Sequence, residues 1–89
     1  MYYLYILKCA DKTLYTGIAI DLWQRVKEHN SSKLGGKYTR SRRPVKLVYS
    51  KKFQTRSAAA KAEFRIKIWS RQEKIKLIKN SKKLHASAN

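Results

Sequence analysis

Acidic residues are scarce in this chain. Five Asp and Glu stand against 22 Lys and Arg, so 89 residues carry a formal net charge of +17. No two of those carboxylates are spaced for paired acid–base work. The single cysteine, Cys9, excludes an internal disulfide and any multi-thiolate metal site, and no His/Cys cluster has zinc-ligand spacing. Serine or cysteine nucleophile motifs and a glycine-rich phosphate cradle are missing. No apolar run is long enough to span a membrane. Met1 to Cys9 is too short, and lacks the basic start, for a signal peptide, so a cytoplasmic protein is expected. Repeats and low-complexity tracts are absent.

What is present points to one small globular domain. Hydrophobic residues make up 43% of the chain, enough for a modest core. The positive excess opposes compaction by self-repulsion, and a polyanionic partner offsets it. Nucleic acid is the expected partner, DNA first and RNA second; no membrane association is expected, and a protein partner for the basic face is the remaining option.

The apolar run Tyr2-Tyr3-Leu4-Tyr5-Ile6-Leu7 reads as a strand buried on both faces. A polar turn at Ala10-Asp11-Lys12 joins it to a second strand, Thr13 to Ile18, forming a hairpin. Asp21 with Gln24 three residues later forms a capping-box pattern for a helix ending near His29 or Asn30. Leu22, Trp23 and Val26 share one side of this helix, with Trp23 and Trp69 expected as core or half-buried anchors. Arg25 and His29, four apart, lie together beside the apolar stripe. Asn30 to Pro44 reads as a long ordered loop broken at Gly35-Gly36. A third strand follows over Val45 to Lys52. Ser57 is expected to open a helix over Ala58–Trp69 with an inner stripe of Ala58, Ala62, Ile66 and Trp69. Ser70 and Glu73 form another capping box, opening a short basic helix with Ile75 and Ile78 inward. Residues 1–79 are therefore expected as the domain and 80–89 as a disordered basic tail. The order suggests an α+β fold: a small three-stranded antiparallel sheet flanked by helices.

Of the five acids, Asp11 belongs to the hairpin turn, Asp21 and Glu73 sit at capping positions, and Glu28 falls on the solvated side of its helix. Glu63 has no such structural job, although an ion pair with Lys67 at i+4 would suit it. A chain rich in tyrosine and arginine with one lone acid suits phosphodiester chemistry. A single carboxylate can hold magnesium when water and phosphate supply the other oxygens, and an arginine can stabilise charge developing at phosphorus. Lys37, Tyr38, Thr39, Arg40, Arg42 and Arg43 crowd into the loop as a nucleic-acid-binding cluster, a phosphate rail that positions a backbone without reading bases.

Tyr3-Leu4-Tyr5 in the first strand and Tyr15-Thr16-Gly17 in the second resemble the two motifs of the GIY-YIG nuclease superfamily. Arg25-x-x-x-His29 and Glu63 follow in the family's order. Glu28-His29-Asn30, Lys37-Tyr38-Thr39-Arg40 and Arg43-Pro44 resemble its small stand-alone members, the YhbQ-like branch. The resemblance spans roughly residues 2–79. It implies a divalent-metal-dependent DNA endonuclease of low sequence specificity, with Mg2+ or Mn2+ as cofactor, of the kind that serves DNA repair. Carried over by position, Glu63 is the metal ligand and Arg25 contacts the scissile phosphate. Tyr5 and Tyr15 line the site, one of them deprotonating or orienting the attacking water, and His29 shuttles a proton or holds a tyrosine hydroxyl. The chain departs from the pattern at Tyr3 (for glycine), Leu4 (for isoleucine) and Ile18 (for the lysine of some relatives), and has no asparagine in the stretch after Glu63 where several relatives carry one. The alternative reading on the same fold is a DNA- or RNA-binding module without cleavage.

Overall fold

The computed structural model describes residues 1–31 and 37–88, with side chains described over 1–31 and 38–81. The apolar run becomes β1 (Tyr2–Lys8), and the hairpin continues into β2 (Leu14–Ala19). Its turn closes through Cys9 N–H to the Thr13 carbonyl and Lys12 N–H to the Cys9 carbonyl, each 2.9 Å. Lys12 takes a positive φ of 69°, while the Asp11 carboxylate accepts from the Thr13 backbone N–H and hydroxyl.

α1 (Leu22–Ser31) starts where Asp21 caps it, with Gln24 N–H donating to Oδ1 at 3.0 Å. The reciprocal half of the box is not made, because the Gln24 amide turns outward to Glu28. The expected loop contains a helical turn, α2 (Lys37–Arg40); the Gly35-Gly36 break lies outside the described residues. Chain direction is restored at Val45, whose N–H donates to the Asn30 amide oxygen while the Asn30 NH2 donates to the Val45 carbonyl. β3 (Lys46–Phe53) follows.

α3 (Arg56–Lys67) begins two residues earlier than Ser57 would predict for its first helical residue, because the Thr55 hydroxyl caps it by accepting from Ala58 N–H at 3.1 Å. Its buried stripe therefore runs through Ala59 and Ile66, with Ala62 and Trp69 half-buried beside them. The Ser70–Glu73 box opens α4 (Arg71–Ala88) as expected, with the carboxylate accepting at Ser70 and the Ser70 hydroxyl accepting from Glu73 N–H. The helical backbone continues past the boundary expected at residue 79, a stretch without glycine or proline to stop it.

The antiparallel sheet has the order β2-β1-β3, which explains why β1 carries an unbroken run of buried residues: both its edges are paired and both its faces covered. Leu4 and Ile6 point to α3 and α4, packing with Ile66 and Ile78. Tyr5 and Leu7 point the other way, packing with Cys9, Leu22 and Val45, so Cys9 is a core thiol. The fold is thus α+β, a three-stranded antiparallel sheet flanked by helices. Trp23 departs from expectation: it is 70% exposed. One residue along a helix is a turn of about 100°, which carries Trp23 away from the sheet when Leu22 faces it. Among the described residues no helix is long and apolar enough to cross a membrane.

Candidate active site

β1 and β2 pair with Tyr5 opposite Gly17 and Leu7 opposite Tyr15, which sets the two tyrosines on the same face. Their ring centroids are 6.3 Å apart. The Tyr5 ring folds across Gly17 so closely that a Cβ there would stand 2.6 Å from its hydroxyl oxygen. Absence of a side chain at Gly17 is what lets the Tyr5 hydroxyl lie where it does.

On α1, Leu22 and Val26 pack against the sheet, and the same side of the helix delivers His29 into the core at 0% exposure. Its Nε2 lies 3.0 Å from the Tyr5 hydroxyl and its Nδ1 lies 2.7 Å from the Thr39 hydroxyl. The His29 ring also meets Tyr15 edge-on, with centroids 5.1 Å apart. One turn earlier, Arg25 pairs with Glu28 at 2.9 Å and stands beside Tyr5, whose protonation it influences. Glu28, expected on the solvated side, is half-buried and serves as the counter-ion of Arg25.

These contacts shape the protonation states. Burial pushes the Tyr5 phenol up to about 12, the Arg25 hydrogen bond opposes that, and negative charge at Tyr15 or Glu63 adds to it. Burial also presses His29 down to about 4, helped by the nearby Arg25 and Arg43 cations against the pull of Glu28. The ring is therefore neutral near pH 7. Burial works against the Arg25 cation, but its hydrogen bonds to Glu28 and Tyr5 outweigh that and hold it above the usual guanidinium value.

Glu63 approaches from α3. One carboxylate oxygen is 3.4 Å from the Lys67 ammonium, the i+4 pair anticipated from spacing, and the side chain is 23% exposed. Its charge nonetheless reaches the Tyr5 phenol. Among the described residues no three His, Cys, Asp or Glu side chains gather as a metal cluster. A cation at Glu63 would thus depend on water and substrate for its other ligands.

The basic stretch behaves differently from a uniform phosphate rail. Tyr38 stacks on Tyr15 with centroids 5.7 Å apart, and the Arg42 guanidinium lies 4.0 Å from the Tyr38 ring centre. Arg42 also donates to the Tyr38 carbonyl at 2.8 Å and pairs with Asp11 at 3.0 Å, tying the hairpin turn to α2. Arg43 donates from Nε to the His29 carbonyl and from Nη2 to the Glu28 carbonyl, capping the end of α1. Arg40 is exposed, and the side chain of Lys37 lies outside the described residues. Thr39 differs from the exposed contact expected of it: it is 0% exposed, with its hydroxyl against His29. A small β-branched residue at the wet-looking tip of a basic segment gives no sign in sequence that it turns inward. Nor does Asp11, four residues beyond the strand run, signal its partnership with Arg42.

Comparison with known proteins agrees with this geometry. The family model of the GIY-YIG catalytic domain matches residues 1–76. A UPF0213 protein of Syntrophus aciditrophicus is 53% identical over 79 residues, covering 89% of this chain and 91% of that one. A UPF0213 protein of Staphylococcus saprophyticus is 53% identical over 77 residues, covering 86% and 93%. Two solution NMR structures share the fold. The UPF0213 protein BH0048 of Bacillus halodurans is 40% identical with a TM-score of 0.58, covering 89% of this chain and 84% of that one. Protein EF2693 of E. faecalis is 42% identical with a TM-score of 0.62, covering 89% and 83%.

Proposed function

Because this chain belongs to the GIY-YIG family, a nuclease family, we propose that it is a divalent-metal-dependent DNA endonuclease of low sequence specificity. The observation that supports this most is the meeting of Arg25, Tyr5 and His29 around one buried hydroxyl. Arg25 is a permanent cation whose pairing with Glu28 fixes its direction, suited to neutralise charge that develops on a phosphoryl oxygen. Tyr5 is the group that takes a proton from the attacking water while passing its own to His29, and Tyr15 forms the adjoining wall. A tyrosine held near 12 stays protonated at rest, so it acts as a relay and not as a standing phenolate.

Glu63 fits a hard cation such as Mg2+ or Mn2+: it is a partly exposed carboxylate, held by one lysine only loosely, whose charge reaches the Tyr5 phenol. When bound there, the cation supplies Lewis-acid stabilisation of the leaving oxygen. The +17 charge supports low-specificity attraction to DNA.

The second reading, a DNA- or RNA-binding module that does not cleave, draws on the solitary state of Glu63 among the described residues. A nicking assay on plasmid and branched DNA with Mg2+ or Mn2+ separates the two. Glu63→Gln and Arg25→Ala are expected to abolish cleavage and leave most binding. Activity surviving both changes would overturn the site; no cleavage by the unaltered protein on any of these substrates would favour the binding module.

A further inference from the structure

We propose that Thr39 is a positioning residue that holds His29 in its Nδ1–H tautomer, leaving Nε2 as the acceptor for the Tyr5 proton. Donors and acceptors around the His29 ring have to be matched within a buried site. Tyr5, His29 and Thr39 are 1%, 0% and 0% exposed, so at rest their polar atoms are matched chiefly by one another and by neighbouring protein groups. The neutral imidazole carries one N–H, and both its nitrogens have a hydroxyl within hydrogen-bond distance. Arg25 can only donate, so its interaction with Tyr5 falls on the hydroxyl oxygen and competes with any second donor there.

Two arrangements meet the distances. In one, Nε2–H donates to Tyr5; the Tyr5 oxygen then receives two donors, and its own buried O–H must find a third direction in which no side chain partner is seen among its contacts. In the other, Tyr5 O–H donates to Nε2 and Nδ1–H donates to Thr39. The Tyr5 hydroxyl and both imidazole nitrogens are then satisfied. A buried Tyr5 O–H left unsatisfied would cost about 1–3 kcal/mol, and Thr39 is not confined to His29 for partners, which favours the second arrangement. Thr39 is well placed for this role because α2, which carries it, is held by Arg42 just beyond its end. Arg42 grips the Tyr38 carbonyl next to it, and Arg42 N–H donates to the Thr39 carbonyl at 3.0 Å.

The chemical consequence rests on the nuclease reading. As the water oxygen bonds to phosphorus, its proton passes to the Tyr5 oxygen and the Tyr5 proton passes to Nε2; the bond from phosphorus to the leaving oxygen breaks, its electron pair departs with that oxygen, and the alkoxide takes its proton from solvent. Only the Nδ1–H tautomer has a lone pair at Nε2 to receive that proton. The imidazolium so formed still donates from Nδ1 to Thr39. The opposite tautomer would present Tyr5 with a donor where the relay needs an acceptor.

Thr39→Val removes the hydroxyl at nearly constant volume, and Thr39→Ser keeps it. Histidine ring nitrogens in 15N-labelled protein, assigned with His29→Gln, report the tautomer directly. Wild type and Thr39→Ser are expected to show Nδ1 protonated; Thr39→Val is expected to shift the proton to Nε2. In nicking assays Thr39→Val should lower kcat by about 10- to 100-fold with KM unchanged, as for loss of a group that orients a histidine. Thr39→Ser should recover the rate. An Nε2–H tautomer in wild type, or an unchanged tautomer and kcat in Thr39→Val, would overturn the proposal, and a change in KM alone would return Thr39 to substrate contact. If Thr39→Val does not fold, wild type and Thr39→Ser still give the tautomer. If wild type cleaves nothing, the nuclease reading fails, and the NMR result decides the tautomer assignment on its own.

Discussion

Tyr5 lies over Gly17 with its hydroxyl oxygen 2.6 Å from where a β-carbon would stand, while that same oxygen is 3.0 Å from His29. The tyrosine is thus held from below by an absence and from above by a hydrogen bond. The close approach requires glycine for space, not for an unusual backbone angle, since no glycine among the described residues has positive φ.

Gly17→Ala is expected to push the Tyr5 ring off the His29 nitrogen. Overpacking of this kind costs about 1–3 kcal/mol, so the protein should fold with a lowered melting temperature. Misplacement of the hydroxyl by about an ångström should slow nicking by about 10²-fold. Thermal unfolding and single-turnover cleavage check the two parts separately.

Stability should depend on pH through His29. Its folded value is pressed from 6.5 down to about 4, so the unfolded chain binds a proton that the folded chain refuses between those values. Stability is full above pH 6.5 and is lost as the pH falls toward 4. Between pH 6.5 and about pH 5 the loss should reach about 2 kcal/mol. The lowered carboxylates of Asp11 and Glu28 add their own losses mainly at more acid pH. Urea unfolding of wild type and His29→Asn checks this: the variant should show a flatter profile in that window.

Arg42→Ala tests whether this guanidinium works inside the protein or on the nucleic acid. Losing its contact with the Tyr38 ring should cost about 1 kcal/mol, a fall in melting temperature of about 4–8 °C for a domain of this size. The slope of log affinity against log salt should change little, whereas a direct phosphate contact would reduce it by about 1. Filter binding at several salt concentrations gives that slope.

The two tryptophans should separate. Trp23→Lys, at a position 70% exposed, should alter stability by no more than about 0.5 kcal/mol. Trp69→Ala removes a half-buried ring packed against Ile66 and its neighbours, and should cost about 2 kcal/mol or more. Chemical denaturation of both variants measures the difference.

Much of the scaffold could be read beforehand because its signals are local. The unbroken apolar run of β1, the turn at Asp11 and the caps at Asp21 and Ser70 each depend on residues within four positions of one another. The shared site of Tyr5 and Tyr15 came from the family resemblance, and the company of Arg25 and His29 from helical spacing. What escaped reading was decided across the fold. Trp23 looked like an anchor because apolar neighbours surround it in sequence, yet the helix turns it outward. Thr39 looked wet among arginines, yet His29 draws it inward. Arg42 and Arg43 read as free phosphate ligands, yet Asp11, Tyr38 and the α1 carbonyls use their donors. Charge at the surface is easy to count, but which charges are already engaged is a tertiary fact.

The chain from Tyr5 through His29 to Thr39 joins elements of unequal permanence. β1 is paired on both edges, so its amides should exchange with solvent only on global unfolding. α2 has four residues, too few to persist without the contacts that hold it. The last member of the chain therefore sits on an element whose persistence rests on its contacts with the hairpin. The hold on His29 is thus a property of the whole fold and not of the short helix that supplies the hydroxyl.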